Sequence, residues 1–261
     1  MQQVVSIAIE TSCRLGGVAL GLDDELIEAV HFDASSRHAT TLVVRLNELL
    51  ARRGLKAADV NEVYACVGPG SFTGVRVGVT VARTLAQAVP GVRTVAVPTA
   101  IAVADNVRHL PWEHLAVLLD AKDEFVYAQL FTRTSASSAD VAPPQKSPGN
   151  ALPGLAAPGV KSSSAPQILA APAQVLTVDE IVRTFPRPVM VIGEGLGYHT
   201  IVGEGITLAD PALNLPTAEG VWRAGRPLAR AAAFTEYHSL LPIYARKSEA
   251  ERLWDLKEGK R

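Results

Sequence analysis

The stretch Cys66-Val67-Gly68-Pro69-Gly70-Ser71-Phe72-Thr73-Gly74-Val75-Arg76-Val77-Gly78 constrains the fold more than any other in the chain. Ahead of its first glycine, Glu62 to Val67 is a short, mostly apolar run that reads as a strand. Behind it, Val75, Val77, Val79 and Val81 alternate as a strand would, yet Gly74, Gly78, Ala82 and Ala86 recur every four residues. The four-residue period belongs to a helix, and Pro90-Gly91 stops it. The spacing predicts a helix over Thr73 to Val89 with a stripe almost free of side chains, where another backbone approaches closely. Strand, glycine turn and helix in that order bring N–H groups and a helix dipole to the turn, a seat for an anion. The same glycines also suit a tight turn that needs unusual dihedrals and binds nothing. The segment matches neither Gly-x-x-x-x-Gly-Lys-Ser/Thr nor Gly-x-Gly-x-x-Gly, so both readings stay open.

Val4 to Ile9 reads as a buried strand, and Gly16 to Leu22 and Glu25 to Phe32 as a hairpin turning at Asp23-Asp24. Ser35 and Ser36 offer caps for a helix to about Arg53, ended by Gly54, with Leu42, Val43, Leu46, Leu49 and Leu50 on one face. Thr94 to Val97 is a fifth strand. Further strands are expected at Leu115–Leu119, Glu124–Thr132 and Val189–Ile192, with helices over Thr177–Thr184 and Thr217–Ala233. This is an α/β chain of mixed sheets flanked by helices.

Its 261 residues suit one large domain or two compact ones, and 48% hydrophobic residues suffice for a core. The expected division is a lobe over 1–98 and a second over 99–261, with the chain end packing back on the first. From Thr132 to Gln174, 27 of 43 residues are Pro, Ser, Ala or Gly, so that stretch is expected to be a surface insertion. Lys plus Arg (25) nearly cancels Asp plus Glu (26), which argues against a freestanding nucleic-acid binder. Two cysteines build neither a disulfide framework nor a zinc cluster. Met1-Gln2-Gln3-Val4 lacks the basic start of a signal peptide, and no run approaches the ~18 apolar residues of a membrane span. The expectation is a soluble, cytoplasmic protein.

A second chemistry-bearing segment is Glu10-Thr11-Ser12, at the end of the first strand. An acid and two hydroxyls there suit a hydrated metal or a phosphate, or else simple turn and cap chemistry. Taken together, "SIAIETSCRLGGVAL" (6–20), "SRHATTLVVRLNELL" (36–50) and above all "GPGSFTGVRVGVTVARTLA" (68–86) resemble the bacterial TsaB (YeaZ) family. "VLLDAKDEFVYAQLF" (117–131) and "LPIYARKSEAERLW" (241–254) are similar to two further stretches of that family. It is a paralogue of the TsaD, formerly "glycoprotease", proteins within the actin-like ATPase superfamily.

The resemblance implies a two-lobed actin-like, ribonuclease H-like fold. It implies a non-catalytic scaffold for forming N6-threonylcarbamoyladenosine beside the anticodon of tRNAs reading ANN codons. The implied partners are a TsaD-type transferase, or a second copy through the same helices, and a TsaE-type ATPase, with tRNA met mainly through the complex and no cofactor. Leu42, Val43, Leu46 and Leu49 on the first helix and Gly74, Gly78, Ala82 and Ala86 on the second become the expected partner interface. Glu10, Thr11, Gly68, Gly70, Ser71, Asp120, Gly193 and Gly195 become a degenerate nucleotide or phosphate site.

The residues lean to the non-catalytic side. Catalytic relatives carry a His-x-x-x-His metal pair on the first helix, whereas around His38 this chain has Ala34 and Leu42. No metal site is expected. In Asp120-Ala121-Lys122-Asp123-Glu124 bulky charged groups stand where a phosphate would need backbone. The first strand ends in Glu10 where the family usually has Asp, one methylene shorter. Two other functions remain: an actin-like ATPase or kinase using the Gly68 to Gly74 loop and Glu10, and a glycoprotease-like metallopeptidase, for which the chain offers no paired metal site.

Overall fold

The computed structural model describes residues 3–33, 38–134, 167–245 and Trp254. The first sheet opens with β1 (Val5–Glu10), β2 (Leu15–Leu22) and β3 (Glu25–Asp33), an antiparallel meander. Asp23 takes a left-handed conformation (φ 52°) at the hairpin turn. Helix α1 (His38–Ala51) leads into β4 (Glu62–Gly68), parallel to β1, and α2 (Phe72–Ala88) into β5 (Arg93–Pro98), parallel to β4. The sheet order is β3-β2-β1-β4-β5. The expected caps Ser35 and Ser36 lie outside the described residues.

Helix α3 (Thr99–Asp105) then carries the chain to a second sheet. There β6 (His114–Asp120) pairs antiparallel with β7 (Phe125–Thr134), which pairs with β8 (Gln167–Ala170) and β9 (Gln174–Thr177). Helix α4 (Val178–Thr184) precedes β10 (Val189–Ile192), parallel to β6, and β11 (Ile206–Leu208) lies parallel to β10. Read outward from β6, the order β11-β10-β6-β7-β8 repeats the first sheet strand for strand, with the same pattern of parallel and antiparallel pairs. This doubled unit is the two-lobed, ribonuclease H-like arrangement expected above.

Alternation within the strands sorts side chains to two faces of each sheet. On the outer face of the first sheet, Ile7, Ile9, Val18 and Leu20 pack with Leu42, Leu46, Leu49, Val75, Val79 and Ala82 of α1 and α2. On its inner face, Ala8, Tyr64, Cys66 and Val95 pack with α3 and with Val221 and Trp222 of α5 (Ala218–Arg230). Helix α3 turns its other side, Ala100 and Val103, to Leu115, Val117 and Leu119 of β6. Helices α3 and α5 are thus the layer between the sheets.

Although α5 lies more than 200 positions after β1 in sequence, Trp222 Nε1 donates to Ser6 Oγ at 2.9 Å. Arg226 Nη1 lies 3.0 Å from buried Glu62, which also takes Arg93 at 2.6 Å and the Tyr64 hydroxyl at 2.5 Å. A carboxylate buried with this many donors stays satisfied.

The structure corrects two expectations. The Pro/Ser/Ala-rich stretch is not insertion throughout: β7 runs on to Thr134, and residues 167–174 form β8 and the start of β9 on its edge. Gln167-Ile168-Leu169 and Val175-Leu176 supply the apolar residues that let strands form beside a long β7. Residues 135–166 lie outside the described residues.

The second correction concerns the partner interface. Leu42, Leu46 and Leu49 are buried against the chain's own sheet, and of the named α1 residues only Val43 is exposed, at 42%. On α2, Gly74, Gly78, Ala82 and Ala86 are all buried. The reason is steric: a side-chain-free stripe lets α2 lie directly on the end of β1. A Cβ at Gly74 would strike the Thr11 carbonyl, and one at Gly78 the Thr11 hydroxyl.

Candidate functional site

The ends of β1, β4, β6 and β10 meet at the seam between the two sheets and leave a cleft of about 1000 Å3. Ser12, Cys13, Arg14, Gly70, Ser71 and Phe72 wall it on the first-sheet side. Across from them stand Asp120, Lys122, Glu194, Gly197, Tyr198 and Asn214. The expected nucleotide-site residues come from four strand ends around this cleft, though not on equal terms: Gly70, Ser71 and Asp120 line it, and Glu10 is buried behind Ser12.

Local geometry favours the tight-turn reading of the glycine segment. Ser71 caps α2, its Oγ accepting from Gly74 N at 3.2 Å, and Ser71 N donates to Ser12 O at 2.6 Å. Those two N–H groups are engaged inside the protein, so the turn stitches α2 to the β1–β2 loop. Gly70 sits on the Ser12 carbonyl with no room for a Cβ. Gly68 has φ +96°, a conformation that favours glycine.

Glu10 is fully buried. Its Oε1 accepts from Ser12 N (2.5 Å) and Ser12 Oγ (2.6 Å), while Oε2 has no partner among the described residues. Burial pushes its carboxyl above the usual range, against hydrogen bonds from Cys66 and Ser12. The Thr11 hydroxyl is also buried without a partner. Burial likewise pushes the Cys13 and Cys66 thiols up, with the Glu10 charge adding to it, so neither is a ready nucleophile.

Asp120 occupies the equivalent place in the second sheet and behaves differently. Its Oδ1 accepts from Lys122 N at 2.9 Å and its Oδ2 lies 3.0 Å from Lys122 Nζ. Lys122 and Asp123 both adopt left-handed conformations (φ 70° and 57°) to make the turn. Burial works against the ionised Asp120, but the Lys122 hydrogen bonds and charge hold its carboxyl below the usual range. His199 Nε2 stands 3.7 Å from Asp120 Oδ1, with no hydrogen-bond partner among the described residues.

Glu194 follows Gly193, whose φ of +124° and missing side chain let the loop close onto the Leu118 carbonyl. Gly195 packs on the same carbonyl. Burial raises the Glu194 carboxyl, and the neighbouring charges of Asp120 and Glu10 raise it further. Three carboxyls therefore gather at the floor, one sealed beneath it and one paired with Lys122, while Arg14 and Lys122 also line the cleft.

Sequence reasoning missed Tyr198, Asn214 and His199. Asn214 Oδ1 accepts from Gly193 N at 3.1 Å, a link across 21 positions that no local spacing reveals. Tyr198 was findable, because it directly follows the glycine-rich run Gly193–Gly197. Among the described residues no three His, Cys, Asp or Glu side chains group as metal ligands. The His38 side chain lies outside what the structure describes.

Comparison with known proteins agrees with the doubled fold. The solved structure described as "YeaZ from Pseudomonas aeruginosa" superposes with a TM-score of 0.71 at 22% identity, over 92% of this chain and 99% of that one. The Bacillus subtilis (strain 168) tRNA threonylcarbamoyladenosine biosynthesis protein TsaB is 25% identical over 255 residues, 95% of this chain and 96% of that protein. The Haemophilus influenzae protein of the same name is 32% identical over 142 residues, 53% of this chain and 58% of its own length. Residues 32–253 match the family described as TsaD, tRNA N6-adenosine threonylcarbamoyltransferase. With most of its length inside that match and its curated relatives named TsaB, the chain belongs to the TsaD-related family, on its TsaB (YeaZ) branch.

Proposed function

We propose that this protein is a non-catalytic scaffold subunit in the formation of N6-threonylcarbamoyladenosine on tRNA, working by pairing with a TsaD-type transferase. The observation that carries the non-catalytic part is the floor of the cleft. Glu10 is sealed under the glycine turn, Asp120 is tied to Lys122, and Glu194 adds a third carboxyl. The turn's Ser71 and Gly74 N–H groups are engaged internally. Among the described residues such a floor sets carboxyls, rather than free backbone N–H groups, where a triphosphate would sit, and it presents no base–nucleophile pair.

The scaffold part is supported by the outward faces of α1 and α2, which pack side by side on the outer face of the first sheet. With the leucines and the small-residue stripe turned inward, Val43, Val44 and Asn47 of α1 and Arg76, Thr80 and Thr84 of α2 are exposed. Two neighbouring helices with exposed valines offer a face for two helices of a partner. The transferase is the occupant proposed, and a second copy of this chain would compete for the same face. A TsaE-type ATPase would join the assembled pair, in the cytoplasm, with tRNA held mainly by the other subunits. Among the described residues no helix is long and apolar enough to cross a membrane.

Two measurements test the reading. Depleting the protein is expected to lower threonylcarbamoyladenosine in bulk tRNA by mass spectrometry of nucleosides, and an unchanged level would sink the proposal. Val44→Arg is expected to weaken capture of the TsaD-type partner about tenfold or more while leaving the melting temperature close to wild type. Normal capture by that variant would move the interface elsewhere.

A further inference from the structure

After α5 the chain does not end on its own face of the first sheet. Thr235 N donates to Thr94 O at 2.8 Å at the edge of β5, and Leu240 is fully buried in the core beneath α1 and α2. From that anchor, Leu241 to Ala245 passes across the glycine turn. Ile243 N donates to Val67 O at 2.7 Å. The Ile243 carbonyl stands 2.6 Å from where a Cβ on Gly68 would be, so only glycine leaves it room. The Tyr244 ring packs on Phe72 at 5.0 Å between centroids, and Phe72 is the first residue of α2 and part of the cleft wall. Ala245 then packs on the cluster of the second sheet that contains Ala100, Val103 and Leu115.

We propose that Leu241–Ala245 is a releasable strap that sets how far the two lobes open, a role separate from the scaffold reading above and not dependent on it. The main link between the sheets is the α3–α5 layer on the far side of β4. The strap is a second tether, joining the α2 end of the first lobe to the second lobe at the mouth of the cleft. A joint with one tether is a hinge, and a second tether on the other side of the hinge locks it.

The strap is lightly held. Among the described residues one backbone hydrogen bond fixes it, Leu241 is 58% exposed and Tyr244 37%. A segment with few buried contacts and one backbone bond opens locally at a small fraction of the free energy of global unfolding. Opening leaves Leu240 seated, so the strap swings rather than detaches. Release frees the Phe72 ring and the Val67 carbonyl and lets the Gly68 turn relax, which widens the cleft on its first-sheet side.

The test uses the full chain with spin labels on cysteines placed at Thr84 and Val202, exposed positions on opposite lobes, measuring the distance between them by pulsed electron resonance. Native Cys13 and Cys66 are buried and stay unlabelled. Ile243→Pro removes the N–H donated to Val67, and Tyr244→Ala removes the ring contact while leaving the backbone unchanged. Hydrogen exchange reports the strap itself. Wild type is expected to give one narrow distance and protected exchange at Ile243. Both variants are expected to speed exchange in 240–245 about tenfold, leave the strands of both sheets protected, and add a second, longer distance. The proposal is overturned by either of two results. One is an Ile243 amide that exchanges unprotected in wild type. The other is a single unchanged distance in both variants despite faster strap exchange. Tyr244→Ala keeps the test decisive should Ile243→Pro fail to fold.

Discussion

The two sheets share one plan, and the residues that close their central strands show what each has become. Glu10 ends β1 and Asp120 ends β6, equivalent places in a repeated topology. Glu10 has no ion pair among the described residues and lies under the start of α2, so burial drives its carboxyl up. Asp120 keeps a lysine and a view of the cleft, and its carboxyl is held down. Their covers differ too. The glycine stripe of α2 lies on the first strand end, whereas the Gly193–Gly195 loop lies on Leu118 near the second. One strand end has been taken into the core and the other left on the surface of the cleft.

The largest expected effect tests that difference at the stripe. Ala82→Arg places a long cation in a fully buried position between α2 and the first sheet. The expected loss is about 4 kcal/mol or more, enough to unfold a protein of ordinary stability. Circular dichroism checks it. A folded variant with a normal melting curve would return the stripe to the surface and make it an interface.

Glu10→Gln comes next and turns on pH. A carboxyl raised in the folded state contributes stability that is full below the unfolded value of 4.5 and is lost as pH rises through the folded value. The glutamine does not ionise, so the variant is expected to exceed wild type by on the order of 1 kcal/mol at pH 8. The gap should close toward pH 4 in urea titrations. A variant less stable at pH 8 would mean that Glu10 is held ionised by a cation.

Asp120→Asn should have the smallest effect and the opposite pH sense. The depressed carboxyl contributes stability above 3.8 that is lost as pH falls through its folded value. Because Lys122 is 75% exposed, the loss at pH 7 is expected to stay below about 1 kcal/mol and to shrink with added salt. A loss as large as that from Ala82→Arg would erase the contrast between the lobes.

How much of this was legible in the sequence depended on whether the signal was local. The four-residue spacing of Gly74, Gly78, Ala82 and Ala86 identified α2 correctly against a rival valine alternation. It did not say which side of the helix those residues face, because a small-residue stripe suits contact with a partner or with the chain's own β1. The leucines of α1 carried the same ambiguity. The opening hairpin and the strand–turn–helix run of β4 and α2 were legible because both are short-range patterns, whereas the strand order came from the structure. Helix α3 was missed because Thr99–Asp105 is only seven residues of apolar run, indistinguishable from a strand without its neighbours. Strands β8 and β9 were hidden in a composition that reads as loop, and they form because β7 offers them an edge. In the site, Glu10, Gly70, Ser71 and Asp120 could be named from segments of a few residues each. Asn214 reaches the cleft through the fold alone.

The contact between Trp222 and Ser6 bears on how this protein is made. The ribosome releases β1 first and Trp222 more than 200 residues later, with Leu240 later still. Until then the first sheet lacks the helix that covers its inner face and the side chain that completes its outer core. During synthesis the earliest strands must wait with apolar surface uncovered, for roughly 10 to 40 s at ordinary translation rates. A chain cut short before α5 is therefore expected to leave that surface uncovered and to be a client for chaperones rather than a working lobe.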